Sequence, residues 1–236
     1  MYTFQDLLEK HIGATLDRQL ALLELVGGID RYALNLDAGE LYFDTKHSFP
    51  VQVLGSESET SHSWLWVWSN PNVTLDPKLM RSAQNLRAFG QEHEIPEFRE
   101  GLVDLEERSA ASMALVSSGV SGADAYYRAP YEGGAAYVLL DAPQVRTKFD
   151  DSPRHVADVF TRVLMNFEVT HRRAYLCYLK YKRYTYTEDP AQVEAASPSG
   201  EPLLARFDAQ GRLEAFGHKM GGSGTEWRPK LGDSNA

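Results

Sequence analysis

The chain has 236 residues, with 33 acidic against 24 basic side chains and a formal net charge of −9. A chain of this size can bury about 70% of its unfolded surface without staples, and its acidic balance argues against a broad phosphate-binding surface, so nucleic acid is not an expected partner. The single cysteine, Cys177, excludes an intramolecular disulfide and a multi-cysteine metal site, which fits a reducing compartment. No stretch approaches the ~20 apolar residues of a membrane span, and the N-terminus lacks a secretory pattern. A cytoplasmic protein with no membrane partner is the expectation.

Thr3 reads as a helix cap, and Phe4, Leu8, Ile12, Leu16, Leu20 and Leu23 recur at helical spacing until Gly27-Gly28. Tyr32 to Leu36 and Glu40 to Asp44 then form a hairpin around Asp37-Ala38-Gly39, followed by a strand at Val51 to Leu54. The polar link Gly55 to His62 leads to Ser63-Trp64-Leu65-Trp66-Val67-Trp68-Ser69-Asn70-Pro71. This stretch holds three of the four tryptophans. On a strand Trp64, Trp66 and Trp68 share one face and Leu65 and Val67 the other, so both faces are apolar. Such a strand belongs inside a covered sheet, or lines a pocket or partner surface with its indoles. Neighbouring strands are expected to pair as an antiparallel meander, with the tryptophan strand last.

Asp76-Pro77 opens a helix that Gly90 ends, and a second helix is expected over about Val103 to Ser118. Gly119-Val120-Ser121-Gly122 invites comparison with a nucleophile elbow, since Ser121, Asp158 and His171 occur in hydrolase order. However, the elbow needs one more residue before the second glycine and a strand-to-helix context. A helix-terminating loop is the reading adopted. Ala125 to Pro130 and Ala135 to Asp141 form a second hairpin around Glu132-Gly133-Gly134. Arg128 on its first strand reads as solvent-facing or ion-paired, with an anion clamp beside an aromatic pocket as the functional alternative.

Ser152-Pro153 opens the longest expected helix, reaching to Lys180. Glu168 and His171 then stand at i, i+3, the half-motif of carboxylate-bridged di-metal bundles. No second copy occurs, so surface pairing is expected in place of a metal site. Cys177 reads as a buried small hydrophobe. Tyr175, Tyr178, Tyr181, Tyr184 and Tyr186 alternate with Arg172, Arg173, Lys180, Lys182 and Arg183. That composition can bind single strands, but cations also suit a helix C-terminus and tyrosines a half-buried boundary. Residues 188–202 read as a linker, and Leu203 to Asp208 with Arg212 to Phe216 as a hairpin. Residues 217–236 read as a flexible tail anchored by Trp227.

The expected fold is thus α+β, an antiparallel and mainly meander sheet packed against several long helices. Residues 1–187 form the domain and the hairpin 203–216 packs on it. The combination of Leu54-Gly55-Ser56, the Trp64-x-Trp66-x-Trp68 strand with Ser69-Asn70-Pro71, Leu86-Arg87-Ala88-Phe89-Gly90 and Tyr127-Arg128-Ala129-Pro130 resembles an uncharacterised bacterial family of unknown function. The resemblance covers about residues 1–180, has Ser69 where the pattern has alanine, and implies no activity.

Three functional readings stay open. The favoured one is a non-catalytic module binding a small molecule or peptide in an aromatic pocket of Trp64, Trp66, Trp68, Tyr127 and Arg128. The second is an interaction or immunity-type protein whose acidic surface meets a basic partner. The third is a hydrolase or metal-assisted enzyme using His155, Asp158, Glu168 and His171. No cofactor motif is found and none is expected.

Overall fold

The computed structural model describes residues 2–44, 46–106, 108–219 and 225–229. The chain forms two compact units, Met1–Leu8 with Asp17–Phe149, and Glu9–Leu16 with Asp150–Ala236. Helix α1 (Phe4–Val26) contributes to both. It starts at a capping box in which Thr3 Oγ1 accepts the Asp6 N–H at 3.1 Å and Asp6 Oδ2 accepts the Thr3 N–H at 2.8 Å. It ends at Gly27, whose φ of +70° lets the chain turn away.

In the first unit, strands β1 (Tyr32–Asn35), β2 (Glu40–Phe43), β3 (His47–Ser58) and β4 (Ser63–Trp66) pair antiparallel in sequence order, as the meander pattern predicts. Three boundaries differ from expectation. Strand β3 runs on through the supposed link, because Ser56 and Glu57 pair with β4 on one side and with the later hairpin on the other. The tryptophan strand stops at Trp66, and Val67–Ser69 is a turn of 3₁₀ helix. It is not the last strand either, since β5 (Leu102–Asp104) adds beyond it.

Asp76 caps a 3₁₀ turn at Pro77–Met80 that leads into α2 (Arg81–His93). Gly90 does not end this helix. Instead it lets the short α3 (Pro96–Arg99) press Phe98 onto the α2 backbone, where a Cβ at Gly90 would lie 2.5 Å from Phe98 Cβ. Helix α4 spans Ala110–Ser121 rather than 103–118, with Ser109 as its cap. It is buried almost all round, which explains why its sequence shows no sharp inner face. Strands β6 (Ala125–Tyr131) and β7 (Gly134–Leu140) form the expected hairpin, and β7 pairs with β3 to complete a seven-stranded sheet. At β6 the Gln19 side chain pairs with the backbone of Tyr126, Nε2 donating to its carbonyl at 2.9 Å and Oε1 accepting its N–H at 3.0 Å. A side chain there takes the place of a further strand.

The second unit holds α5 (Pro153–Asn166), α6 (His171–Tyr181) and an antiparallel five-stranded sheet of β8 (Thr185–Glu188), β9 (Gln192–Ala196), β10 (Pro202–Phe207), β11 (Leu213–Lys219) and β12 (Thr225–Pro229). The single long helix expected from Ser152 to Lys180 is broken at Phe167, which is extended, and the α6 N-terminus is instead met by Glu9 of α1. Its Oε1 accepts the Thr170 N–H at 2.9 Å, and its Oε2 stands 3.3 Å from Arg173. Glu168 and His171 therefore do not share a helical face. Gly13 in α1 admits Tyr178, whose ring would clash with any Cβ at that position.

The expected linker contains β9, and the hairpin expected to pack on the first domain is β10–β11 of this second sheet. Its core gathers Phe160, Tyr175, Phe207 and Phe216. Part of the basic aromatic segment is structural, with Tyr175, Tyr178, Tyr184 and Lys182 buried, Lys182 Nζ donating to Asp150 O and Tyr184 OH to Asp151 O. Cys177 is half-buried, and burial pushes its thiol pKa up. Within the expected tail, β12 pairs with β11 and brings Trp227 opposite Gly217, under the Arg206 guanidinium. The rest of that tail, 220–224 and 230–236, lies outside the described residues. Among the described residues no helix is long and apolar enough to cross a membrane.

Candidate functional site

The register of the first sheet decides which of the sequence-predicted residues meet. One row across it runs Pro130, Ala135, Glu57, Trp64, Val103, and the next runs Arg128, Tyr137, Gly55, Trp66. Residues two apart on a strand share a face, so Arg128, Glu57, Tyr137 and the two indoles lie on one face. Tyr127 lies on the other, against Tyr32 and Phe43 at ring-centroid distances of 5.3 and 4.9 Å. Of the five residues proposed as one pocket, Trp64, Trp66 and Arg128 share one face, Tyr127 lies on the other, and Trp68 lies beyond the strand.

Trp64 and Trp66 have no exposed surface. Their rings meet edge-on at 5.4 Å. Trp64 touches Tyr137 and Trp66 touches Phe98, and the Trp66 indole N–H donates to Glu97 O at 2.8 Å. Trp68, beyond the strand end, stacks on Trp66 and carries the Arg87 guanidinium 4.3 Å above its ring. Two fully buried indoles contribute up to about 5 kcal/mol each at ~25 cal/mol per Å². The indole end of this face is core.

At the other end the face becomes polar. Glu57 Oε2 accepts from Tyr137 OH at 3.0 Å and from Arg128 Nε at 3.2 Å, and Arg128 Nη2 reaches Glu59 Oε1 at 3.1 Å. Burial and the neighbouring Glu57 carboxylate hold the Tyr137 phenol well above its ordinary pKa. Arg128, expected either in an ion pair or as an anion clamp, spends its guanidinium on two carboxylates.

Beside this cluster opens a cleft of about 570 Å³, lined by Glu57, Glu59, His62, Glu106, Arg108 and Ser109 among others. Its walls come from the β3–β4 turn, where His62 takes a φ of +46°, and from the start of α4. Arg108 is anchored from behind by the buried carboxylate of Glu97 at 2.6 Å and lies 5.6 Å over the Phe4 ring. Three carboxylates, one imidazole and the Arg108 guanidinium line the cleft, with Arg128 held against Glu57 and Glu59 at the edge. Such a wall suits a polar ligand carrying a cation. Glu57 and Glu59 escaped the sequence reading because Gly55 to His62 looked like a loop. The signal that could have found them is the continued alternation Gly55-x-Glu57-x-Glu59.

Three of the residues considered for catalysis have the following contacts. His171 Nδ1 accepts the Leu213 N–H at 3.0 Å, Asp158 pairs loosely with Arg154, and His155 lies 3.9 Å from Asp150. Ser121 falls in the first unit, and Asp158 and His171 in the second. Among the described residues no three His, Cys, Asp or Glu side chains group as a metal site.

A family of unknown function, DUF6882, matches residues 5–143. The chain belongs to this family. The DUF6882 match takes in the whole seven-stranded sheet, Trp64, Trp66 and all the cleft residues named above. Searches of the curated proteins and of the solved structures found no match.

Proposed function

We propose that this DUF6882 member is a non-catalytic binding module that takes a small molecule or peptide at the cleft beside Glu57, through a cationic group such as an amine or guanidinium. The observation that carries this reading is the cleft itself. Glu57 stands on β3, with Glu59 in the turn that follows it and Glu106 in the connection between β5 and α4, and Glu57 is already engaged by a guanidinium from the protein's own Arg128. The indoles supply the floor's rigidity rather than its contact surface, since their rings are covered. Pre-organised polar groups over a stiff core lower the ordering cost of binding.

Titration of the ¹⁵N-labelled protein with argininamide tests this. Saturable shifts are expected at the amides of Glu59, His62, Glu106 and Ser109, and shifts that never saturate would refute the reading. The net charge of −9 favours one second reading, a protein whose acidic surface meets a basic partner. Its mark is capture that weakens steeply with salt.

A further inference from the structure

A second cleft, of about 260 Å³, opens elsewhere in the same unit and is independent of the function proposed above. Its polar lining includes Gln52, Ser82, Ser121, Asp124, Asp141 and Arg146. Ser121, singled out in the sequence for its Gly-Val-Ser-Gly setting, ends α4 here, and Gly122 at φ +65° turns the chain along the cleft wall. Ser82, in the first turn of α2, is held by the Gln52 side chain, whose Oε1 accepts its N–H at 3.2 Å while Nε2 donates to Lys78 O at 2.8 Å.

Asp124 organises this site. Its carboxylate is 3% exposed, with Oδ2 accepting the Ala142 N–H at 2.9 Å and Oδ1 accepting Arg146 Nε at 2.5 Å. Arg146 itself is 68% exposed at the rim. A buried carboxylate is costly to desolvate unless its lone pairs are used. Here one lone pair fixes the plane of a guanidinium at the mouth of a cleft. An arginine oriented from behind in this way is suited to the planar grip of a carboxylate or phosphate.

We propose that this cleft binds a small molecule through a single carboxylate or phosphate group, with Arg146 as its cationic contact, Ser82 and Ser121 as hydroxyl donors, and Asp124 as the positioning residue. The positive end of the 13-residue helix α2, which begins beside Ser82, adds to the attraction. Asp141 on the same wall repels anionic groups, so only a group held directly by Arg146 is accommodated.

The test is an NMR titration of the full chain with inorganic phosphate and, separately, with acetate, at constant ionic strength. Saturable shifts at the amides of Ser82, Gly122 and Ala123 are expected with one or both probes, and which probe saturates them distinguishes phosphate from carboxylate. Arg146→Gln, whose side-chain amide can still donate to Asp124, is expected to weaken binding by about tenfold or more and also to lower the melting temperature, because it removes the charge paired with a buried carboxylate, so affinity is read at a temperature where the variant is folded. Asp124→Asn, which keeps an acceptor for the Ala142 N–H, is expected to weaken it as well. Absence of saturable shifts with both probes, or equal affinity in Arg146→Gln, overturns the site. Equal affinity in Asp124→Asn overturns the positioning role.

Discussion

One face of one sheet has two ends that differ in almost every physical respect. At the Trp64–Trp66 end the side chains are large, apolar and without exposed surface, sealed by Phe98 and its neighbours Phe4 and Phe89. Directly across from Trp64 on β3, at Glu57, and onward to Glu59, the same face carries carboxylates, a guanidinium and an open cleft. The strand pattern alone does not separate these roles. What separates them is what packs above: short helix α3 closes over the indoles, while the turn at His62 and the start of α4 leave the carboxylate end open. The buried core and the open cleft therefore share one continuous surface.

Trp66→Ala attacks the closed end and carries the largest expected effect. It empties a fully buried site and leaves Glu97 O without its indole donor, so a loss of about 3–5 kcal/mol is expected from denaturant unfolding. Gly55→Ala comes next. Its Cβ would lie 2.3 Å from Leu65 O of β4, next to the register shift between β3 and β7, and backbone cannot yield as a flexible side chain can. A loss of about 1–3 kcal/mol is expected. Stability like that of the parent in either variant would break the assignment of this end as core.

Tyr137 stands at the junction, its ring against Trp64 and its hydroxyl on Glu57. Tyr137→Phe keeps the ring and should cost about 1 kcal/mol near neutral pH. Its phenol pKa is raised in the folded state from 10.0, first by burial and then by Glu57. A raised acid favours the folded state fully below the unfolded value, and that contribution is lost as the pH climbs from 10 toward the folded value. Stability should therefore fall above pH 10, and Tyr137→Phe should fall less steeply. An identical alkaline slope in the two proteins would show that Tyr137 has no share in it.

Glu59→Gln and Glu106→Gln probe the open end and should be nearly silent in stability, within about 0.5 kcal/mol, because both side chains are exposed. Their effect belongs in binding.

Much of this architecture could be read from the chain. Periodicity placed α1, and glycine-centred turns placed the hairpins β1–β2, β6–β7 and β10–β11, because both signals are local. Boundaries set by tertiary partners could not be read. Gly90 looked like a stop but is a packing notch for Phe98, and Phe167 broke a helix whose next turn is capped by Glu9 from far along the chain. The cover over the indoles could not be read for a related reason. Alternation showed that the indoles share a face, but only the cover over that face decides between core and pocket. Arg128 was legible as a charged strand residue, whereas its carboxylate partners sat in a segment that composition alone marks as loop.

The central claim is best tested by one paired measurement, taking the denaturation midpoint and argininamide affinity of the parent, of Trp66→Phe and of the double variant Glu59→Gln/Glu106→Gln. The account expects Trp66→Phe to lower the midpoint while any folded protein binds as the parent does, and the double variant to keep the midpoint and lose affinity by about tenfold. A double variant that binds argininamide as tightly as the parent would contradict it.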